Sequence, residues 1–317
     1  MKKAIEIVTL ARVEGANLNS NGTEGVISIL KKARDPVDQK EYVRVSGQSY
    51  KYNLRELIAE IAGTDKISQR VKEVEKEDEK GRTTKTVVTS LGNPVRFYDD
   101  DLFGFMIAAD RKRIAPVRTS GLISIFPYQE DRDFGVAYNP DPKTKEHNIF
   151  ETEISTNIMR GNVFIELDRV GVFDKAELEG LKDSEKKDRL SDEERTDRVR
   201  TLLRAVMDYH GGAHLSRHFT KVYPEAIVAV LLNRKIPVIG DAFRVKQGYV
   251  DGKVVVDTEA LKERYTVFEE YIESMYIGCF TSTVANLDEL KKTFDGTRCE
   301  VLPMLDFRKK MLEIQVM

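Results

Sequence analysis

Six segments of the sequence carry a regular hydrophobic pattern, and their order restricts the folds that the chain can adopt. They read as strand, helix, strand, strand, helix and strand, over residues 4–13, 46–62, 122–126, 162–173, 191–210 and 224–233. This is the βαββαβ order of a ferredoxin-like or RNA-recognition-motif-like fold. The sequence therefore predicts the α+β class. A helical insertion would follow the first helix, and a long excursion would separate the two middle strands.

The two helices have clear starting points. Ser46 is a favourable N-cap, and Leu54 and Leu57 follow it at helical spacing. Ser191 and Glu194 form a capping box at the start of the second helix. Both segments are amphipathic, so each helix should bury one apolar face.

The charge balance limits the possible partners of the chain. It has 317 residues, 33% of them charged, but its net charge is only −2. A uniformly basic nucleic-acid binder is excluded, whereas a local basic groove is not. The two cysteines lack the spacing of a metal site, and no apolar run is long enough to span a membrane. These features predict a cytoplasmic protein without membrane association.

The helix that begins at Ser46 has an unusual polar stripe. Gln48, Lys51 and Arg55 adjoin its apolar face. Cations in the first turns oppose the helix dipole, and two cations one turn apart repel each other. A phosphate or sugar-phosphate backbone would supply the missing negative charge. The alternative interpretation is an ordinary amphipathic helix.

Other polar clusters admit two interpretations each. The Gly/Asn-rich loop 15–22 could wrap an anion or be a flexible surface loop, and the basic cluster 31–34 could grip phosphate or be a solvated turn. The segment 118–120 combines a cation with hydroxyl groups. An aliphatic residue near 158 could wedge between bases, although such residues more often belong to the core.

The sequence contains few signs of catalysis. Asp35 and Asp38 lie beside the basic cluster and could serve a metal-dependent nuclease. His210, His214 and His218 are spaced by four, but the glycines at 211 and 212 interrupt any shared helix face. We therefore expect neither a metal nor another cofactor.

Taken in order, these segments resemble one protein family. The resemblance extends to about residue 235 and is carried by GANLNSNGTEG, the basic turn, VRVSGQSYKYNLREL, DDLFGFM, PVRTSGLISI, NVFIELDRVG, GGAHLSRHF and PEAIVAVLLN. The same order occurs in the CRISPR-associated DevR-type autoregulator proteins. These are the backbone subunits of type I, Cascade-like surveillance complexes.

The resemblance implies four regions. Residues 1–63 would begin an RNA-recognition-type palm, 64–112 would be a helical insertion, 113–240 would complete the palm, and 241–317 would be an extension packed on it. An extended thumb hairpin would occupy about 127–160 within the third region.

The resemblance also implies a set of residues that contact RNA. Ser46, Gln48, Ser49, Lys51 and Arg55 would hold guide phosphates, and Ile158 and Met159 would be candidate wedges. The remaining contacts would be Arg12, Asn17, Asn19, Lys31, Lys32, Arg34, Arg118, Thr119, Ser120, Arg160, Arg217 and His218.

The implied function is non-catalytic. Copies of the chain would polymerise along crRNA with other CRISPR effector subunits, bind its ribose-phosphate backbone without sequence specificity, and present the guide to target DNA in antiviral defence. Two alternatives remain open at this point. One is a metal-dependent ribonuclease that uses Asp35 or Asp38. The other is a transcriptional regulator, for which the sequence lacks a helix-turn-helix signal.

Overall fold

The computed structural model describes residues 2–68, 74–77, 83–86, 90–107, 111–137 and 148–316. The strands within these residues are β1 (Ala4–Ala16), β2 (Ser20–Glu24), β3 (Ile27–Leu30), β4 (Lys32–Arg34), β5 (Glu41–Val45), β6 (Val74–Glu77), β7 (Thr83–Thr86), β8 (Phe105–Met106), β9 (Lys112–Arg113), β10 (Val117–Ser124), β11 (Arg132–Ala137), β12 (Asn148–Glu153), β13 (Ser155–Glu166), β14 (Ala226–Leu232), β15 (Val245–Val250), β16 (Lys253–Val256), β17 (Ile272–Cys279) and β18 (Cys299–Pro303). The helices are α1 (Gly47–Ala62), α2 (Tyr98–Phe103), α3 (Asp192–Met207), α4 (Leu215–His218), α5 (Thr258–Val267), α6 (Leu287–Phe294) and α7 (Met304–Leu312). The chain is thus a mixed fold of helices and mostly antiparallel sheets, as the sequence predicts at this coarse level.

One large sheet organises the molecule. Its strand order is β18-β17-β14-β1-β13-β10-β5-β4, and only the β17–β18 pair is parallel. The strand β1 lies between β13 and β14, where Ile5 pairs with Ile165 on one side and Leu231 on the other. Because β1 pairs along both edges, it sets the register of both β13 and β14.

The helices α1 and α3 cover one face of the large sheet. Leu54 and Ile58 of α1 and Leu202 of α3 are fully buried in the core on this side. The predicted caps form, since the Ser46 side chain accepts a hydrogen bond from Ser49 N and Ser191 forms a capping box with Glu194. The C-terminal helix α7 packs in the same core.

The C-terminal region covers much of the opposite face. Phe243, Leu261 and Tyr265 are buried there with Val8 of β1. The buried carboxylate of Glu6 accepts hydrogen bonds from the backbone N–H groups of residues 238, 239 and 240, at 2.5, 2.9 and 2.8 Å. This carboxylate ties the start of the C-terminal region to the central strand.

A second sheet lies beside the large one. Its order is β11-β12-β3-β2, in which β12 and β3 are parallel and the other pairs antiparallel. The hairpin arms β11 and β12 belong to the predicted excursion 127–160, but residues 155–160 lie in β13 of the large sheet. The intervening residues 138–147 lie outside the described residues.

The predicted helical insertion differs in the structure. Helical structure was expected in the insertion over 64–112, but its described pieces include the antiparallel pair β6–β7. The described part of the predicted helical insertion therefore contains two hairpins, β6–β7 and β8–β9, and only one α-helix, α2. No helix in the described part of the chain is long and apolar enough to cross a membrane.

A buried ion cluster joins α2, α3 and β9. The two carboxylate oxygens of Asp101 lie 2.6 Å from Arg113 Nη2 and 2.7 Å from Arg198 Nη1. Asp101 also accepts a hydrogen bond from the N–H of Gly171, at 2.9 Å. All three charged side chains are almost completely shielded from water.

Replacing Asp101 with alanine should lower the free energy of unfolding by about 3–5 kcal/mol, because the buried guanidinium of Arg198 would lose its counterion and that of Arg113 would keep only Glu177. Urea denaturation followed by circular dichroism measures this change. The control is Asp183→Ala, which removes an exposed ion pair with Lys186 and should leave the midpoint unchanged. An Asp101→Ala midpoint equal to that of the unmodified chain would contradict the assignment.

Candidate nucleic-acid interface

The start of α1 presents unmatched positive charge. Its first turn contains no acidic residue, and the Ser46 hydroxyl is its only side-chain cap among the described residues. Asn19 supports this start, since its Oδ1 accepts a hydrogen bond from Ser46 N at 2.9 Å. Gln48 is exposed and Ser49 half-buried on the same turn. The free N–H groups and these side chains can therefore bind an anion.

The two cations of α1 are in different situations. Arg55 is paired with Asp99, whose Oδ2 lies 3.3 Å from Arg55 Nε, and its guanidinium lies over Phe103. Lys51 has no carboxylate within ion-pair distance among the described residues, and its Nζ lies 5.9 Å from the centroid of the same ring. Burial first, and Arg55 second, lower the pKa of Lys51. We therefore keep Lys51 in the candidate interface and treat Arg55 as a structural residue.

Buried hydrogen bonds hold the Gly/Asn-rich loop in place beside the candidate interface. Asn17 is fully buried, and its amide donates to the Glu153 carbonyl at 3.0 Å and accepts from the Ser20 hydroxyl at 3.1 Å. A side chain with these partners cannot reach a ligand. We correct the prediction for Asn17: it holds the loop in place.

The cations of the basic cluster 31–34 also differ in whether a carboxylate neutralises them. Lys32 Nζ lies 3.0 Å from Glu153 and 3.6 Å from Glu41, so its charge is already neutralised. Arg34 is exposed and donates from Nε to the Gln39 carbonyl at 3.1 Å. Lys31 has no ion-pair partner in the part of the chain that the structure describes. Lys31 and Arg34 therefore remain available to an anion, and Lys32 does not.

Two glycines bring the loop after α3 against α1. A Cβ at position 211 would lie 2.3 Å from Asn53 Cβ, and one at 212 would lie 2.7 Å from Leu18 Cδ2. The same loop is joined to the Gly/Asn-rich loop by a hydrogen bond of 3.0 Å between His214 Nε2 and the Ser20 hydroxyl. The absence of a Cβ at position 211 lets this loop lie against the Asn53 side chain of α1, and at 212 it leaves room for the Leu18 side chain.

Arg217 connects this loop to the β11–β12 hairpin. Its guanidinium lies 3.2 Å from Asp133, donates to the Thr152 hydroxyl at 3.0 Å, and lies 4.1 Å from the centroid of the Phe150 ring. These contacts hold the guanidinium against β11 and β12, so Arg217 positions the hairpin. Burial is the main cause that lowers the pKa of the neighbouring His218.

Phe219 follows these two residues and was not predicted from the sequence. It is 91% exposed, and its φ of 33° is unusual for a residue with a side chain. A large aromatic side chain in this position is available to stack on a planar partner. The exposure of Phe219 depends on tertiary structure, and the local sequence does not indicate it.

The segment 118–120 lies beside the start of α1. A bulge in β10 is closed by Gly121, whose φ is 74° and whose Cβ would lie only 2.1 Å from the Val45 carbonyl oxygen. The Thr119 hydroxyl is used within the sheet, where it donates to the Asn162 carbonyl at 2.7 Å. Ser120 is exposed, and Arg118 lies over Phe164 with a partner at Glu166.

Arg118 and Ser120 face an open pocket of about 310 Å³ on the sheet face opposite α1 and α3. Arg160 lines the same pocket and donates to the Asp241 carbonyl at 3.1 Å. Burial is the largest cause that lowers its pKa. These cations thus form a group on the other side of the sheet from Lys51.

The candidate wedges are part of the core. Ile158 and Met159 are 4% and 1% exposed, and as neighbours in β13 they pack into the cores on the two opposite faces of the sheet. A side chain buried in this way cannot insert between bases. We therefore correct this prediction and remove both residues from the interface.

The candidate catalytic carboxylates belong to the β4–β5 turn. Asp35 accepts a hydrogen bond from Val37 N at 2.7 Å, and Asp38 accepts from Lys40 N at 2.9 Å and the Tyr42 hydroxyl at 2.6 Å. The Tyr42 bond is the main cause that lowers the Asp38 pKa. Within the described ranges, no three His, Cys, Asp or Glu residues are grouped as metal ligands.

The fold resembles chains of known complexes. A chain from a "CRISPR RNA-guided surveillance complex, pre-nicking" matches with a TM-score of 0.63 at 14% identity, covering 98% of this chain and 99% of that chain. A chain from a "CRISPR RNA-guided surveillance complex" matches with a TM-score of 0.54 at 15% identity, covering 87% and 88%. No curated protein sequence matches significantly.

The sequence itself matches a known family. A sequence profile of the family described as "CRISPR-associated negative auto-regulator DevR/Csa2" matches residues 7–254, which is most of the chain. This agrees with the resemblance carried by the Ser46 helix start and the segments around it. The chain is therefore a member of the CRISPR-associated DevR/Csa2 family.

Proposed function

We propose that the chain is a non-catalytic backbone subunit of a type I CRISPR effector complex, which binds crRNA through its ribose-phosphate backbone. The observation that supports this most strongly is the start of α1. It combines free N–H groups, exposed polar side chains and Lys51, which has no acidic partner in the described residues. Such a surface suits phosphate.

The sheet topology supports the palm assignment. The four strands β14-β1-β13-β10 are neighbours in this order, and α1 and α3 cover one of their faces. In the chain these elements follow as β1, α1, β10, β13, α3 and β14, the order of a ferredoxin-like or RNA-recognition-type unit. In this proposal the unit is the palm, and the β11–β12 hairpin is the thumb.

The hairpin is suited to contact another copy of the chain. Phe134, Val136 and Ile149 are exposed on it, although they are large and apolar. Polymerisation of copies side by side along crRNA would cover such side chains. The guide would then be held for pairing with target DNA, together with other effector subunits, in antiviral defence.

The proposal includes no catalysis by this chain. The carboxylates of Asp35 and Asp38 accept hydrogen bonds from their own turn, which orients them toward the backbone. A metal-dependent nuclease needs carboxylates that converge on an ion.

Lys51→Gln should weaken binding to single-stranded RNA equally for all sequences, because the lost contact is to phosphate. It should also lower the slope of log K against log salt by about 0.7, the value for one phosphate contact on a single strand. Fluorescence anisotropy with labelled oligonucleotides at several salt concentrations measures both. The control is Lys291→Gln, at an exposed position on α6. An unchanged slope in Lys51→Gln would remove this residue from the interface.

Arg217→Ala should reduce the assembly of several copies on a long RNA, because the hairpin would lose its attachment to α4. Binding of one copy to a short RNA should persist. Size-exclusion chromatography on RNAs of two lengths separates these effects. The control is Arg132→Ala. It removes the ion pairs of Arg132 with Glu130 and Glu151 and leaves the contacts of Arg217 in place. Normal assembly of Arg217→Ala would show that the attachment is dispensable.

The assembled complex should leave a labelled complementary RNA intact in the presence of Mg²⁺, as gel electrophoresis over time can test. The ribonuclease alternative predicts cuts at regular intervals. Cuts that disappear in Asp35→Ala or Asp38→Ala would favour that alternative over the present proposal.

A further inference from the structure

A second pocket lies on the sheet face opposite α1 and α3. Its volume is about 300 Å³, and it lies over β1 and β13 between the residues that follow β10 and the β15–β16 hairpin. Phe126 and Pro127 come from the first segment, and Gly248 and Tyr249 come from the second. Residues after about 240 have no role in the function proposed above, so the hairpin requires a separate explanation.

The hairpin presents an aromatic ring to solvent. Its two ends are anchored, because Val245 and Val256 pair with each other and are buried in the core. Tyr249 lies near its tip and is 54% exposed. An anchored hairpin thus holds an aromatic side chain at the border of the pocket.

Arg12 supplies positive charge at the same place. Its guanidinium lies 5.5 Å from the centroid of the Tyr249 ring and lines the pocket. Its only ion-pair partner among the described residues is Glu14, with an Nε–Oε1 distance of 2.9 Å, and both side chains are well exposed. An exposed ion pair of this kind is weak, so a phosphate can replace Glu14.

The pocket also has amide groups that can read a ligand. Gln129 and Gln247 line it, and their side-chain amides form no hydrogen bonds with other described residues. The Asn157 side-chain amide, by contrast, already has partners. It accepts a hydrogen bond from the Phe126 N–H and donates one to the Phe126 carbonyl. Each free glutamine offers both donors and an acceptor to the edge of a planar ring.

We propose that this pocket binds an unstacked nucleobase of a single-stranded nucleic acid, with the base stacked on Tyr249 and an adjacent phosphate on Arg12. Aromatic residues interleaved with a cation are the usual means of holding single strands. The proposal rests on nucleic acid being the partner of this chain, as proposed above. It assigns Arg12 to a site separate from that of Lys51, on the other face of the sheet.

Anisotropy titrations with single-stranded oligonucleotides test this pocket in the full chain. Tyr249→Ala should weaken binding roughly tenfold or more, without changing the salt slope, because stacking involves no charge. Tyr249→Phe should restore binding because it keeps the ring. Arg12→Ala should lower the salt slope. Thermal unfolding of each variant verifies that this exposed site has been changed without loss of the fold.

A fluorescent base analogue, 2-aminopurine, reports stacking directly. Its fluorescence should be quenched on binding to the unmodified chain and to Tyr249→Phe, and much less on binding to Tyr249→Ala. Ribo- and deoxyribo-oligonucleotides of one sequence distinguish a guide RNA base from a DNA base as the occupant.

The possible failures are distinguishable. If the unmodified chain binds oligonucleotides but Tyr249→Ala binds equally well with equal quenching, the pocket proposal is wrong and the α1 interface is unaffected. If Lys51→Gln changes nothing while Tyr249→Ala weakens binding, only the α1 interface is wrong. If the unmodified chain binds no oligonucleotide, both proposals are overturned.

Discussion

The burial of β1 on both faces of the large sheet is the constraint on which the rest of the structure depends. Residues 4–11 are all buried, with strands on both edges, α1 and α3 on one face and the C-terminal region on the other. RNA-recognition motifs bind RNA with aromatic residues on the open face of a sheet. Here the centre of that face is occupied, so a nucleic acid can contact only helix starts, loops and uncovered margins.

Close backbone contacts assemble the proposed interface at such a margin. Gly121 lets β10 approach the start of α1, and Gly211 and Gly212 let the loop after α3 approach α1 and the Gly/Asn-rich loop. Buried polar side chains such as Asn17 then fix the loops. The surface that remains exposed carries the helix N–H groups and Lys51. Most of its polar residues therefore support the interface rather than form it.

Local features of the sequence predicted the two capped helices α1 and α3, and long-range pairing explains most errors at the candidate site. Ser46 and Ser191 cap their helices as expected, because a cap depends on residues three positions away. By contrast, Lys32 is neutralised by Glu153, 121 residues later in the chain. Ile158 and Met159 show a related limit, because the alternation of a strand does not reveal that both of its faces will be covered.

The proposed function combines two claims, that this chain binds guide RNA and that its copies assemble along it. The most direct measurement is to express the chain together with a CRISPR array, purify it, and determine its size and its ratio of absorbance at 260 to 280 nm. The proposal predicts a large particle that contains small RNA of uniform length. A small particle with the absorbance of protein alone would contradict it.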